Sequence, residues 1–236
     1  MKDNRLIVGI LVAGLFFSPV ASFLGKSSDI GSVHAEEQLS ADSPPAKLKA
    51  TLAEIDKRIN ETPSAKLYAA KANVLAFMNN YENAIQAINK AINLSPHNGE
   101  YHAYKGLLYA TIGNADETIK SIEKAKSYGI TDPDYYGTLA LAQAGKRDNK
   151  NALKNIELAF KLDRNNFSAL HARARVRTNL KEYQKAISDF TLAIRQKNYL
   201  PELYRERASV WTQLGKKKEA EADISLAEKL KLQAKR

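Results

Sequence analysis

The chain has 236 residues, 44% of them hydrophobic and 26% charged, a balance typical of a protein with a packed core rather than of a disordered one. It contains no cysteine, which excludes disulfides, thiolate metal sites, cysteine nucleophiles and a lipid-modified amino-terminal cysteine. The formal net charge of +10 favours acidic partners, anionic membranes or nucleic acid, but the basic residues are interspersed with Glu and Asp, as on a solvated surface.

An apolar run over residues 6–24 follows Lys2 and Arg5, an arrangement that predicts a bacterial-type export signal within residues 1–35. The best cleavage site ends at Ala35, and cleavage after Ser22 is a weaker candidate. The run is also about long enough to span a bilayer, which takes roughly 18 to 20 apolar residues. We therefore expect a periplasmic or secreted bacterial protein with a cleaved signal, and the alternative is a protein anchored by an uncleaved segment.

Residues 36–46 have the composition of a linker, since Ser, Asp and two prolines, Pro44 and Pro45, are concentrated there. Apolar residues then recur at helical spacing at positions 48, 52, 55 and 59. We predict a capping helix over residues 47–64, because this segment resembles half of the repeat that follows it.

From residue 65 onward the sequence repeats with a period of 34. Two alanine-rich columns, one small-residue column and one bulky column keep the same register through five copies. The members of these four columns are Ala84, Thr118, Ala152, Ala186 and Ala220; Ala91, Ala125, Ala159, Ala193 and Ala227; Ala72, Gly106, Ala140, Ala174 and Ala208; and Ile88, Ile122, Ile156, Phe190 and Ile224.

These columns resemble the tetratricopeptide repeat (TPR) pattern of a small residue followed by A, F and A. The resemblance covers five copies, at residues 65–98, 99–132, 133–166, 167–200 and 201–234. It implies an all-α, right-handed superhelical solenoid of antiparallel helix pairs. One departure is that Pro96 alone occupies the usual late proline position.

The alanine columns are expected where two helices of a pair touch, because small side chains let helices approach closely. The turns between paired helices are expected at residues that favour turns. These residues are Asn79, Asn80, Gly113, Asn114, Gly145, Asn179 and Gly215.

Two arginines each precede an aspartate by sixteen residues in the later repeats. Arg173 with Asp189, and Arg207 with Asp223, are predicted to form ion pairs between the two helices of a repeat, with a structural role.

No catalytic residue, cofactor site or metal site is predicted. His97 and His102 lack the i,i+4 spacing that places two metal ligands on one helical face, so packing or loop roles are favoured for them. No phosphate-binding loop, nucleophile elbow or catalytic triad is visible in the sequence.

The segment 171–177 is the densest basic cluster and would be the best candidate for nucleic-acid binding. Helical spacing divides it, because Arg173 and Arg177 share a face while His171 and Arg175 point elsewhere. Together with the predicted export, this division argues against nucleic acid as a partner.

The resemblance implies that first helices line a concave groove for a partner protein segment. We expect apolar partner side chains near Phe77, Leu107 and Leu141, and an acidic or carboxylate group near Arg175 and Arg205. The function implied is that of a non-catalytic protein-interaction scaffold, and the alternative is an anchored subunit of an envelope assembly or transport complex. The expected groove residues are Asn73, Phe77, Leu107, Leu141, His171, Arg175, Arg205 and Ser209, accompanied by Ala103, Ala110, Gly137, Ala144, Thr178 and Thr212.

Overall fold

The structure is a computed structural model that describes residues 45–233, and these residues form helices and short connections without any strand. A first helix, α1 (Pro45–Glu61), precedes five helix pairs. The pairs are α2 (Ala65–Phe77) with α3 (Tyr81–Leu94), α4 (Gly99–Thr111) with α5 (Ala115–Ser127), α6 (Pro133–Gly145) with α7 (Asn149–Leu162), α8 (Phe167–Asn179) with α9 (Tyr183–Gln196), and α10 (Pro201–Gln213) with α11 (Lys217–Gln233).

The predicted export signal and most of the predicted linker lie outside the described residues. α1 begins at Pro45, two residues before the position expected for the capping helix. A proline suits the first position of a helix, because its missing N–H would have no partner there in any residue.

The first helices begin at intervals of 34 residues because a capping residue recurs at the same interval. Side-chain oxygens of Ser64, Asn98, Asp132 and Asn166 accept hydrogen bonds from backbone N–H groups in the first turn of their helices. Such caps satisfy donors that have no partner within the helix. Leu200 takes this position in the last repeat and makes no side-chain cap, but Pro201 follows it.

Each first helix ends in a Schellman turn, in which one residue with positive φ lies between the paired helices. The N–H three residues beyond the helix end donates back to a carbonyl five residues earlier, as from Asn80 to Leu75 at 2.8 Å and from Glu182 to Arg177 at 2.8 Å. The residues with positive φ are Asn79, Gly113, Arg147, Lys181 and Gly215.

In the third and fourth repeats this pattern corrects the predicted turns. Gly145 and Asn179 are the last residues of α6 and α8, and the left-handed positions are Arg147 and Lys181, each with φ of 62°. The composition of the sequence pointed to Gly and Asn, whereas the backbone hydrogen bonds hold a long basic residue at the turn.

The described residues fall into two compact units, of which the first ends at Ile130 and the second begins at Thr131. Unit 1 contains α1 to α5 and unit 2 contains α6 to α11. In both units the two alanine-rich columns of the second helices are buried. The bulky column is buried between them in the first four repeats, whereas Ile224 is 49% exposed because no described helix follows α11 to cover it.

Gly137 brings α6 and α8 of unit 2 into close contact. A Cβ atom at this position would lie 2.6 Å from Asn166 Oδ1 and 2.8 Å from the backbone nitrogen of Ala169. The N-terminus of α8 therefore packs against α6 at a distance that only a glycine permits. This contact fixes the relative position of the two helices that carry Leu141 and Arg175.

Candidate functional site

The predicted groove residues of unit 1 lie on α2 and α4, and most of them are buried. Phe77 and Leu107 are part of the core, and so is Asn73. The Tyr104 hydroxyl donates a hydrogen bond to Asn73 Oδ1 at 3.4 Å, while burial, with a further contribution from Tyr81, raises the pKa of Tyr104. In unit 1 these side chains therefore hold the helices together and offer little surface to a partner.

The predicted groove residues of unit 2 are more accessible. Leu141 on α6 is half-buried, Arg175 on α8 is 37% exposed, Arg205 on α10 is 30% exposed and Ser209 is exposed. We call the surface that contains these four residues the first-helix face of unit 2. His171 is buried, with the rings of Phe167 and Phe190 on either side, and the predicted residues Gly137 and Ala144 are buried as well.

The basic cluster of α8 is divided between two neighbouring helices, as its spacing predicted. Arg173 forms a bidentate pair with Asp189 on α9, at 2.7 and 2.9 Å, and Arg177 contacts the same carboxylate at 2.7 Å. His171 and Arg175 instead approach Glu206 on α10. Two carboxylates on different helices, Asp189 and Glu206, therefore contact the three arginines of this cluster.

The two predicted arginine–aspartate pairs are confirmed. Arg207 binds Asp223 through two hydrogen bonds of 2.7 and 2.8 Å and also donates to the Thr191 hydroxyl. Asp189 and Asp223 are both buried, so removal of either would leave arginines without a partner in a poorly hydrated place.

Two side chains of α8, His171 and Arg175, approach Glu206. Its Oε2 atom lies 3.1 Å from His171 Nε2 and 3.5 Å from Arg175 Nε. Burial alone would raise the pKa of Glu206, but the charges of His171 and Arg175 and the hydrogen bond from His171 outweigh it and lower the pKa to about 2. Glu206 is therefore an ionised acceptor at neutral pH, and it ties α10 to α8.

Arg205 lies between two further carboxylates, Glu202 at 3.5 Å in the same helix and Glu228 at 2.8 Å on α11. Burial raises the pKa of Glu202 to about 7, partly opposed by its own backbone hydrogen bond and by Arg205. One oxygen of Glu202 is buried without a hydrogen-bond partner. Glu202 therefore changes its charge close to neutral pH, next to an arginine that is partly exposed.

Sequence reasoning placed the arginines on this face and missed the three carboxylates. The signal that could have found Glu206 is its separation of 35 residues from His171, one repeat plus one position. Asp134 and Asn166 illustrate the same kind of contact at a separation of 32, with a hydrogen bond of 2.7 Å. A search restricted to pairs within one repeat could not detect the contact of His171 with Glu206.

The two histidines of unit 1 that were weighed as metal ligands pack against Tyr128, with ring centroids 5.5 and 5.3 Å away for His97 and His102. A ring nitrogen of His102 also lies 2.9 Å from the Pro96 carbonyl oxygen. Within residues 45–233 no group of three or more His, Asp or Glu side chains is arranged to hold a metal ion. The helices described over that range are also too short or too polar for any of them to cross a membrane.

Comparison with known proteins adds to this picture. Residues 65–98 match the sequence model of the tetratricopeptide repeat. Comparison with curated protein sequences gave no significant match.

Several solved structures share the fold. MamA is 21% identical over 69% of this chain and 95% of its own, with a TM-score of 0.51. YrrB, described as a TPR protein with an unusual peptide-binding site, is 21% identical over 75% of this chain and 91% of its own, with a TM-score of 0.53. A chain of the APC/C hetero-tetramer Cut9–Hcn1 reaches a TM-score of 0.67 at 15% identity and covers 78% of this chain and 37% of its own.

Five helix pairs at a constant interval, joined by identical turns, define an α-helical repeat protein of the solenoid class. The tetratricopeptide-repeat model matches residues 65–98, and the structural neighbours share the fold of the described helices. The predicted all-α repeat fold is confirmed, and the match over residues 65–98 agrees with the predicted family.

Proposed function

We propose that the protein acts without catalysis, as a scaffold that binds a partner protein segment on the first-helix face of unit 2. The observation that carries the proposal is the set of exposed or partly exposed charged and polar side chains on α8 and α10. These side chains are Arg175, Arg205 and Ser209. We infer that the partner places an acidic or carboxylate group near the two arginines, with apolar side chains toward Leu141. The buried positions Phe77, Leu107 and Asn73 support the fold of unit 1 in this proposal.

Both arginines already contact carboxylates, so a partner carboxylate must share or replace one of them. The Arg205–Glu228 pair is suited to exchange because Glu228 is 55% exposed. Exposed ion pairs contribute only about 0 to 1 kcal/mol, and replacing one carboxylate by another therefore requires little free energy. The arginine fork is also well matched to a carboxylate in two-point contact.

YrrB supports the general mode, since its description names a peptide-binding site on a TPR fold. Arg175 and Arg205 are expected to give this chain its selectivity, and Ser209 offers a hydroxyl next to them. Binding through such a face is reversible, because its contacts are polar and partly hydrated.

The test is charge reversal at both arginines. A full-length Arg175→Glu, Arg205→Glu protein should recover at least tenfold less of its partner from the native envelope fraction than the parent does, because two attractive contacts become repulsive. The captured segment can be located with a photo-crosslinker placed at Ser209, and its sequence should contain Asp, Glu or a free C-terminus at the crosslinked site.

The double variant Lys150→Glu, Lys154→Glu is the matched control, because it makes the same change of charge on α7, away from the first-helix face. It should leave recovery unchanged. Equal recovery by the arginine variant and the control would overturn the carboxylate part of the proposal, and crosslinks confined to other surfaces would overturn the site.

The runner-up is a membrane-anchored subunit of an envelope assembly or transport complex, and it is favoured by the apolar run over residues 6–24. Both versions place the protein outside the cytoplasm of a bacterium, and we favour a periplasmic or secreted product with a cleaved signal. Fractionation of cells with amino-terminal sequencing of the mature protein distinguishes them. A new terminus after Ala35 or Ser22 supports cleavage, and an intact terminus in the membrane fraction supports the anchor.

A further inference from the structure

Three leucines on the second helices of unit 2 repeat at intervals of 34 residues and are exposed. Leu158 on α7, Leu192 on α9 and Leu226 on α11 have exposed fractions of 38%, 41% and 39%. Single exposed leucines are common on protein surfaces, but three at equivalent positions of consecutive repeats form one apolar feature. We call these three residues the leucine column.

A second column carries positive charge beside it. Three residues after each leucine, on the same helical face, are Lys161, Arg195 and Lys229, all of them exposed. None of the three forms an ion pair within residues 45–233, unlike the arginines of the first-helix face. We call them the basic column. We call the leucine column and the basic column together the stripe. Acidic residues are sparse along it, since Glu157 precedes Leu158 but Thr191 and Ser225 take the matching positions.

Unit 1 has neither column, although its repeats have the same fold. Lys90 and Lys124 take the positions of the leucines and lie over the rings of Tyr68 and Tyr128, 5.4 and 4.7 Å from the ring centroids. Asn93 and Ser127 take the positions of the cations. The stripe of unit 2 is therefore not required by the repeat, and its combination of exposed leucine with unpaired cation calls for a separate explanation.

We propose that the leucine and basic columns of unit 2 dock on an anionic lipid surface. Apolar side chains that alternate with cations match the layered chemistry of such a surface, in which acyl chains lie directly beneath negative headgroups. Leucines of the column enter the boundary between headgroups and acyl chains, while the longer basic side chains reach the phosphates. The first-helix face, which lies on other helices, stays available for a protein partner in this arrangement.

The absence of cysteine allows a direct test on the full-length chain. An environment-sensitive dye is attached to Ser225→Cys, next to Leu226, or, as the control, to Ser127→Cys, which takes the position of the basic column in unit 1. Vesicles with about 30% phosphatidylglycerol in phosphatidylcholine should shift the emission of the dye at position 225 to the blue and leave the dye at position 127 unchanged. Pure phosphatidylcholine vesicles should shift neither, and the shift at position 225 should diminish as salt is added.

Two triple variants test whether the residues of the two columns cause the emission shift at position 225. Changing Lys161, Arg195 and Lys229 to Glu should raise the lipid concentration for half-maximal shift on the order of 100-fold or more, since each basic residue near an anionic surface contributes roughly a fivefold factor. Changing Leu158, Leu192 and Leu226 to Lys, the residue at this position in unit 1, should abolish the shift while the net positive charge increases. The charge-reversal variant alters exposed residues only, so it remains informative even if the leucine variant is unstable.

Three results would overturn the proposal. The first is an equal shift at positions 127 and 225, which would assign membrane contact to another part of the chain. The second is an undiminished shift in either triple variant. The third is a shift at position 225 with an RNA oligonucleotide or an acidic polypeptide but not with vesicles, which would assign the stripe to a macromolecular partner.

Discussion

Lys181 occupies a backbone conformation that suits glycine better than lysine. Its φ of 62° lies in the left-handed region, where a Cβ atom crowds the following carbonyl at about 1 to 2 kcal/mol, whereas glycines fill the equivalent positions 113 and 215. We predict that Lys181→Gly stabilises the protein by about 0.5 to 1 kcal/mol, because relief of strain exceeds the added entropy of the unfolded chain. Urea unfolding followed by the fluorescence of Trp211 measures the change.

Lys154→Gly is the control for this substitution, since Lys154 is exposed within α7. There glycine should destabilise the protein by about 1 kcal/mol. If both substitutions destabilised the protein equally, the left-handed conformation of Lys181 would carry no strain.

Glu202 makes stability depend on pH near neutrality. Its pKa is about 7 in the folded protein, against an ordinary value of 4.5, so the folded state holds the proton more tightly than the unfolded state. The stabilisation is fully present below pH 4.5 and is lost as pH rises to about 7. Glu202→Gln should match the parent at low pH and be the more stable protein at pH 8, as measured by urea unfolding across this range.

Glu206 lies one helical turn from Glu202 and gives stability the opposite dependence on pH. Its lowered pKa of about 2 means that its contribution is present above pH 4.5 and is lost as pH falls toward 2. Glu206→Gln should therefore be less stable than the parent at pH 7. If both glutamine variants changed stability in the same direction at pH 8, the environments assigned to these two carboxyl groups would be wrong.

At the scale of helices, the contact between α6 and α8 depends on Gly137. The Cβ atom of an alanine there would lie 2.7 Å from Ser168 Cβ and 2.6 Å from Asn166 Oδ1, the oxygen that caps α8. We predict that Gly137→Ala destabilises the protein by about 1 to 3 kcal/mol, because overpacking at the backbone exceeds the better helix propensity of alanine. Thermal and urea unfolding measure the loss.

Gly145, in the same helix, gives the matched comparison. The methyl group of an alanine there would have the Arg175 guanidinium as its nearest neighbour, at 3.5 Å, which is an ordinary contact distance. Gly145→Ala should therefore be neutral or stabilising by up to about 1 kcal/mol. A similar loss in both variants would show that helix flexibility, rather than the close contact, explains the effect at Gly137.

At the scale of the whole molecule, the repeat period could be predicted because it is a property of the sequence alone. The buried alanine columns and the pairs Arg173–Asp189 and Arg207–Asp223 follow from it, since each depends on one spacing within one repeat. The turns at Arg147 and Lys181 could not be read from composition, because backbone hydrogen bonds impose the left-handed conformation on residues that do not favour it.

The candidate site could be predicted only in part. Its arginines were found from the family resemblance, but their carboxylate partners lie in the next repeat or on the last helix, at Glu206 and Glu228. The exposure of the groove side chains could not be predicted either, because the burial of Phe77 and Leu107 depends on how closely neighbouring helices pack over them. The repeat period predicts on which helix and at which position a side chain lies, whereas the packing of neighbouring helices determines whether a partner can contact it.

The Schellman turns restrict where foreign sequence can be inserted. Within a repeat only a few residues separate the paired helices, and their N–H groups, such as those of Asn79 and Asn80, donate hydrogen bonds to carbonyls of the preceding helix. Lengthening this connection would separate the two helices. In the connections between repeats at residues 95–98 and 163–166, such bonds are donated by two residues in each, Ser95 with Asn98 and Asp163 with Asn166. A fluorescent reporter or affinity epitope is therefore best spliced between repeats, where gains and losses of chain length are tolerated most easily.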